Sequence, residues 1–197
     1  MRVRLSEGQT VEVTTVGRDS IFGAAATLGG GISLTEAVVL LPGTASVLGI
    51  ADFRAAADRS VTLRILLARH EQALFAHAEQ SAACNVAHSV EARLSRWLLR
   101  ARDLCDEQSL PLTQELMAQA IGVQRNAISI VANALQRSGI IRYSRGRIEI
   151  TDLEGLQETS CECYRAVRTQ HDRLLKTGAG DPAMAASRQK APLPSAR

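Results

Sequence analysis

The sequence predicts an α+β chain: a small antiparallel β-region, then one long helix, then a helical domain closed by a β-hairpin. Three observations predict it. Val11, Val13 and Thr15 alternate with Glu12 and Thr14, the period of a half-buried strand. From residue 60 the apolar period lengthens to that of a helix, and neither Pro nor Gly interrupts residues 60–84. Near the other end, Ser144-Arg145-Gly146 separates two short β-branched runs, the signature of a hairpin.

Composition narrows the class. At 197 residues the chain can hold one large or two small domains, and with aromatics at only 3% their cores must be aliphatic. The net charge of +3 suits a polyanionic partner, although its distribution matters more than its sum. The longest apolar stretch, 37–51, is broken by Pro42, Gly43, Thr44 and Ser46, well short of the roughly 20 residues of a membrane helix. Met1-Arg2-Val3-Arg4 lacks the apolar core of an export signal. A cytoplasmic location without a membrane partner is therefore expected, with the four cysteines as free thiols.

In chain order, Gly29-Gly30-Gly31 breaks the first segment. The apolar runs 37–41 and 45–50 around Pro42-Gly43 then predict a hairpin. Asp52 can cap a short helix over 53–57. In the long helix, Leu63, Leu67, His70, Leu74, His77, Ser81 and Cys84 follow at alternating spacings of four and three, which reads as a heptad seam to a partner helix. A bend at 85–88 leads to a helix over 89–105 with Leu94, Trp97, Leu98 and Ala101 inward. A polar connector over 106–111 follows. After the hairpin, one last helix is expected over 153–175, then a tail from 176 too poor in large apolar groups to order.

The strongest functional signal lies at 113–137. Thr113 caps a helix whose apolar face is Leu116, Met117, Ala120 and Ile121, and Gly122 supplies the positive φ of a sharp turn. A second helix follows with Ile128, Val131 and Leu135 inward. The small Ala118 lets the two helices cross closely, the layout of a helix-turn-helix. At 100° per residue, Asn126, Ile130, Asn133 and Arg137 point away from Ile128, with Ser129 at the margin and Arg125 near the exposed end. Amides, a guanidinium and an apolar group on one face are what read base edges in a major groove. The hairpin over 140–150 then forms a wing. Between 111 and 150 stand five arginines (125, 137, 142, 145 and 147) against Glu115 and Glu149, a surplus suited to phosphate.

Leu110-Pro111-Leu112-Thr113-Gln114-Glu115, Ile121-Gly122-Val123-Gln124-Arg125 and 134–141 (ALQRSGII) resemble the Crp/Fnr family of regulators. So do 91–99 (EARLSRWLL), Arg147-Ile148 and Thr151-Asp152. The resemblance spans roughly residues 10–175 and is specific over 85–160. It implies an α+β fold with an N-terminal partial β-jelly-roll, a long dimerisation helix and a C-terminal winged helix-turn-helix. The domains would be a shortened sensor-like β-roll (1–59), a dimerisation helix (60–84), a DNA-binding domain (85–175) and the tail (176–197). Expected DNA contacts are Thr113, Gln124, Arg125, Asn126, Ser129, Ile130, Asn133, Arg145 and Arg147. Thr113 matches a phosphate-contacting position and Arg125 a base-reading arginine. Asn126 and Ile130 stand where the family often has Glu and Arg, which implies a different operator.

The implied function is a homodimeric, sequence-specific regulator on double-stranded DNA, with RNA polymerase a further candidate partner. Cyclic-nucleotide binders of the family carry a Gly-Glu pair and an Arg beside a small hydroxyl residue. The matching stretches here, 21–26 (IFGAAA) and Ile32-Ser33-Leu34-Thr35, have neither carboxylate nor arginine, and a phosphate without its cation would be poorly held. No cyclic nucleotide or other cofactor, no metal site and no enzymatic activity is expected. His70, His77 and Cys84 read as polar breaks that fix helix register. Cys161 and Cys163, two apart on a helix, should face opposite ways, one buried and one not. The alternative function is a dimeric interaction module, or a ligand or redox sensor, with weak or lost DNA binding.

Overall fold

The structure is a computed structural model that describes residues 1–4, 10–18, 20–33, 35–105 and 109–176. The expected tail beyond Lys176, half of the polar connector (106–108) and Leu34 therefore lie outside the described residues. Two short strands, β1 (Arg2–Arg4) and β2 (Thr10–Glu12), pair antiparallel with Val3 opposite Val11. The predicted alternation thus becomes a strand only up to Glu12. A short helix α1 (Ala24–Leu28) and a longer α2 (Ile50–Arg59) follow. Gly49 caps α2, and Asp52 lies inside its first turn, where a carboxylate favours the positive end of the helix. This corrects the expected start.

The hairpin expected at 37–50 is absent. Those residues run without strand pairing up to α2, and Leu40 and Leu41 pack against the C-terminal core instead. Leu40 and Leu41 gain more from a ready-made core than from a two-stranded ribbon with one face in water, whereas Val39, Val47 and Leu48 stay exposed.

Helix α3 (Val61–Ala87) is capped by the Ser60 hydroxyl, which accepts from Leu63 N. Its inward stripe is Leu67, His70, Ala73, His77, Ser81 and Cys84. These residues pack within the chain. Leu63 and Leu67 meet Ala24 and Phe53, His70 Nε2 accepts from Ile21 N at 3.1 Å, and His77 Nδ1 bonds the Thr14 hydroxyl at 2.8 Å. The stripe expected to form an intermolecular seam is thus covered by the chain's own N-terminal segment and C-terminal helix. The two histidines are docking points for that segment rather than register marks between copies.

Helix α4 (Val90–Asp103) starts at the Ser89 cap and buries Leu94, Trp97, Leu98, Leu99 and Ala101. With α5 (Gln114–Ile121) and α6 (Arg125–Arg137) it encloses the main core, which includes Leu112, Met117, Ile128, Leu135, Ile141, Ile148 and Leu156. Strands β4 (Ile141–Ser144) and β5 (Arg147–Ile150) form the predicted hairpin. A third strand, β3 (Ser109–Leu110), which was not expected, joins β5 on its other edge. The last helix is two. The chain breaks at 160–162 between α7 (Leu153–Thr159) and α8 (Cys163–Leu175), and α8 packs back along α3.

Candidate nucleic-acid interface

The Thr113 hydroxyl accepts from Leu116 N at 3.2 Å and starts α5. Gly122 ends that helix at φ 66°, ψ 47°, and its N–H donates to Ala118 O. This left-handed residue turns the chain so that α6 begins three residues later. Ala118 is buried at the crossing, Ile128 is fully buried beneath α6, and Val131 is half-buried beside it.

The opposite face of α6 is open. Gln124, which caps α6 without a side-chain bond, is exposed, as are Arg125, Asn126, Asn133 and Arg137; Ser129 is half-buried. Ile130 is 70% exposed, an apolar side chain that no part of the described chain covers. This is the exposure that helical angle predicts. Arg125 adds a cation to the positive end of the α6 dipole, where an anion would approach.

The wing turn has two left-handed residues, Arg145 (φ 50°) and Gly146 (φ 74°), between the paired Ser144 and Arg147. This is the two-residue geometry that matches strand twist. A methyl group at Gly146 would stand 3.5 Å from Thr113 Cγ2, so the wing tip adjoins the start of α5. Thr113 thus meets the wing at Gly146, the residue after Arg145. Gln136 Oε1 accepts from Tyr143 N at 2.7 Å and ties the wing to α6.

The wing arginines differ in what they hold. Arg142 pairs with Glu149 at 2.8 Å. Arg147 donates to Ser109 through Nε (3.1 Å) and Nη2 (3.0 Å), pinning β5 to β3. Among the described residues, Arg125, Arg137 and Arg145 have no protein partner. Uncommitted cations thus stand on α6 and at the wing tip, as they also do at Arg59, Arg102 and Arg165.

The segment before Val16 also meets this domain. Val11 lies against the Gly122 turn, and the Trp97 indole donates to Glu12 Oε1 at 3.0 Å. Burial holds the Glu12 carboxyl above its ordinary range, against the opposing bonds from Thr15 and Trp97. Composition alone gave no sign that the N-terminal segment would touch the helix-turn-helix.

In the stretch compared with cyclic-nucleotide cradles, Gly23 (φ 88°) precedes α1 and no acidic or basic side chain occurs over 21–28. The nearby Arg54 donates to Thr27 O at 2.7 Å. Farther along, Cys161 and Cys163 are both buried, which corrects the expectation of opposite faces. The break between α7 and α8 releases them from helical spacing.

Residues 92–159 match the family model of the Crp-like helix-turn-helix domain. No curated protein matches the sequence. Three of the solved structures that share the fold illustrate the likeness. A Crp/Fnr-family protein from Eubacterium rectale superposes at a TM-score of 0.58 with 15% identity, over 80% of this chain and 74% of that one. Two transcriptional regulators from Thermus thermophilus, of the Crp/Fnr and Crp families, superpose at 0.57 and 0.53. They are 21% and 24% identical, and each alignment covers 81% of both chains. The α5–Gly122–α6 turn and its wing thus lie within the stretch, 92–159, that matches the Crp-like helix-turn-helix domain, on a chain that shares the fold of Crp/Fnr-family structures.

Proposed function

We propose that this protein is a homodimeric transcription regulator that reads double-stranded DNA through α6 and grips phosphate through its wing, without a cyclic nucleotide. The observation that carries the reading is the open face of α6, with Arg125, Asn126, Ile130 and Asn133 exposed beside an uncommitted Arg145. In this reading Arg125 donates to a guanine edge, Asn126 and Ile130 set the neighbouring base pairs, and Gln124, Ser129 and Asn133 border the contact. Thr113, which the wing meets at Gly146, and the adjoining wing-tip Arg145 hold phosphate; Arg147 supports them through Ser109. The protein acts by binding rather than catalysis, in the cytoplasm, with RNA polymerase the natural recipient of its effect. No helix among the described residues is long and apolar enough to cross a membrane.

The dimer seam would be the exposed face of α3. Val61, Ile65, Ala68, Gln72, Phe75, Glu79, Ala82 and Val86 alternate at four and three, and Phe75 is 65% exposed. A second copy presents the same stripe, as a two-fold interface requires. The exposed Ile130 and the sparse N-terminal sheet favour a second reading, a dimeric protein-interaction module.

Binding titrations against salt separate the two. For the regulator, affinity falls steeply with salt, and Arg145→Asn, which suits the left-handed turn, lowers the slope by about one unit on every sequence. Arg125→Ala costs about 1–3 kcal/mol on the best site and relaxes preference there. Salt-insensitive binding unchanged by Arg125→Ala would leave the interaction module. Calorimetry should show no low-micromolar heat with cAMP or cGMP.

A further inference from the structure

Four metal-ligating side chains meet where the long helix joins the DNA-binding domain. Cys84 is fully buried in the last turn of α3, and His88 is that helix's C-cap. Cys161 and Cys163 flank the start of α8. Cys84 Sγ stands 3.5 Å from Cys161 Sγ, and Cys163 Sγ 3.7 Å from His88 Nδ1. All four ligand atoms lie within 4.8 Å of one another. A tetrahedral zinc with Zn–S of about 2.3 Å and Zn–N of about 2.0–2.1 Å has edges of roughly 3.6–3.8 Å, close to both measured pairs.

The surroundings point the same way. His88 Nε2 lies 3.2 Å from Glu162 Oε1, the carboxylate–histidine arrangement that orients a ligating imidazole. Gln80 Nε2 donates to Cys163 Sγ at 3.1 Å. Arg93 and Arg96 are each more than nine-tenths buried, their Nε atoms have no partner among the described residues, and both act electrostatically on Cys84. Buried cations need an anion close by. Three thiolates and one dication carry a net charge of −1.

We propose that Cys84, His88, Cys161 and Cys163 bind one Zn²⁺ in a closed structural site that clamps the end of α3 to the start of α8. Binding takes the lone pair of neutral His88 Nδ1 and releases three thiol protons to solvent. Four protein ligands leave no open position, so the ion holds structure rather than activating water. Ligand atoms this close enclose a single ion and leave no room for a cluster with bridging sulfides. A disulfide is a poorer account: its sulfurs would be about 2.05 Å apart, and it would leave Cys163 and His88 unexplained. The site departs from the expectation of no metal because its ligands come from two distant stretches, 84–88 and 161–163, joined only by the fold.

The test uses the full chain purified under reducing conditions without chelator. Elemental analysis should find one zinc per chain, and Co²⁺ substitution should give the charge-transfer and intense visible bands of tetrahedral thiolate cobalt. Native thiol titration should find Cys105 alone reactive with zinc bound and all four thiols reactive after chelation. Cys161→Ser and Cys163→Ser should weaken zinc at least hundredfold, whereas Cys105→Ser should leave it unchanged. If the ligand variants fail to fold, the wild-type titration before and after chelation still decides. A folded wild-type chain that takes up less than a tenth of an equivalent of zinc, or whose thiol reactivity ignores zinc, overturns the proposal. So does a Cys84–Cys161 disulfide in the reduced preparation.

Discussion

Gly122 sits at φ 66° with a methyl-sized space before Val11, so what it supplies is conformation rather than room. Gly122→Ala should cost about 1–2 kcal/mol of stability, and Gly122→Asn less, since Asn tolerates the left-handed region. Thermal or urea unfolding reads both; equal losses would mean that sterics and not φ govern the site. This residue was legible in the sequence because a turn between two apolar helices needs a left-handed residue, and few types supply one. The exposure of Ile130 and Arg125 was legible by the same logic, from helical angle alone. The pairing of Arg147 with Ser109 was not, because β3 is two residues long and has no periodicity to find. Nor was the common burial of Cys161 and Cys163, which depends on a helix break that no Pro or Gly announces.

Helix α3 shows where periodicity stops being enough. Two stripes on it alternate at four and three, and the one richer in leucine is the one that periodicity favours as a seam. The structure covers that stripe with Phe53, Ala24 and α8, leaving the stripe through Phe75 outward. Period reports that a face is buried, not by what. The two faces predict opposite behaviour. Leu67→Ala should destabilise the protomer by about 2–5 kcal/mol. Phe75→Asp should leave the protomer folded and raise the dimer dissociation constant by a hundredfold or more, since a two-fold seam loses about 1.5–3 kcal/mol at each of two copies. Sedimentation with circular dichroism distinguishes them. A Phe75→Asp dimer as tight as wild type would place the seam elsewhere.

At the scale of the whole molecule, the N-terminal segment links the long helix to the helix-turn-helix region through Thr14–His77 and Glu12–Trp97. Its strands were legible only in part: alternation marks β2, whereas β1 is three residues long and has no period to find. Glu12 makes this link sensitive to pH. Its folded carboxyl titrates above the ordinary 4.5, so the folded state holds the proton more tightly than the unfolded one. Stability from this group should therefore fall as pH rises from 4.5 through the raised value. Glu12→Gln keeps an acceptor for Trp97 and removes the charge. It should flatten that dependence and raise the melting temperature at neutral pH; an unchanged pH profile would remove Glu12 from the account.

Whether two copies of α6 read DNA is decided by selecting bound sequences from a random duplex pool. The proposed dimer should select an imperfect palindrome with half-sites about one helical turn apart, and Ile130→Ala should change the preference at the same positions. A pool that yields no consensus, or the same consensus with Arg125→Ala and Ile130→Ala as with the wild-type chain, would contradict that reading.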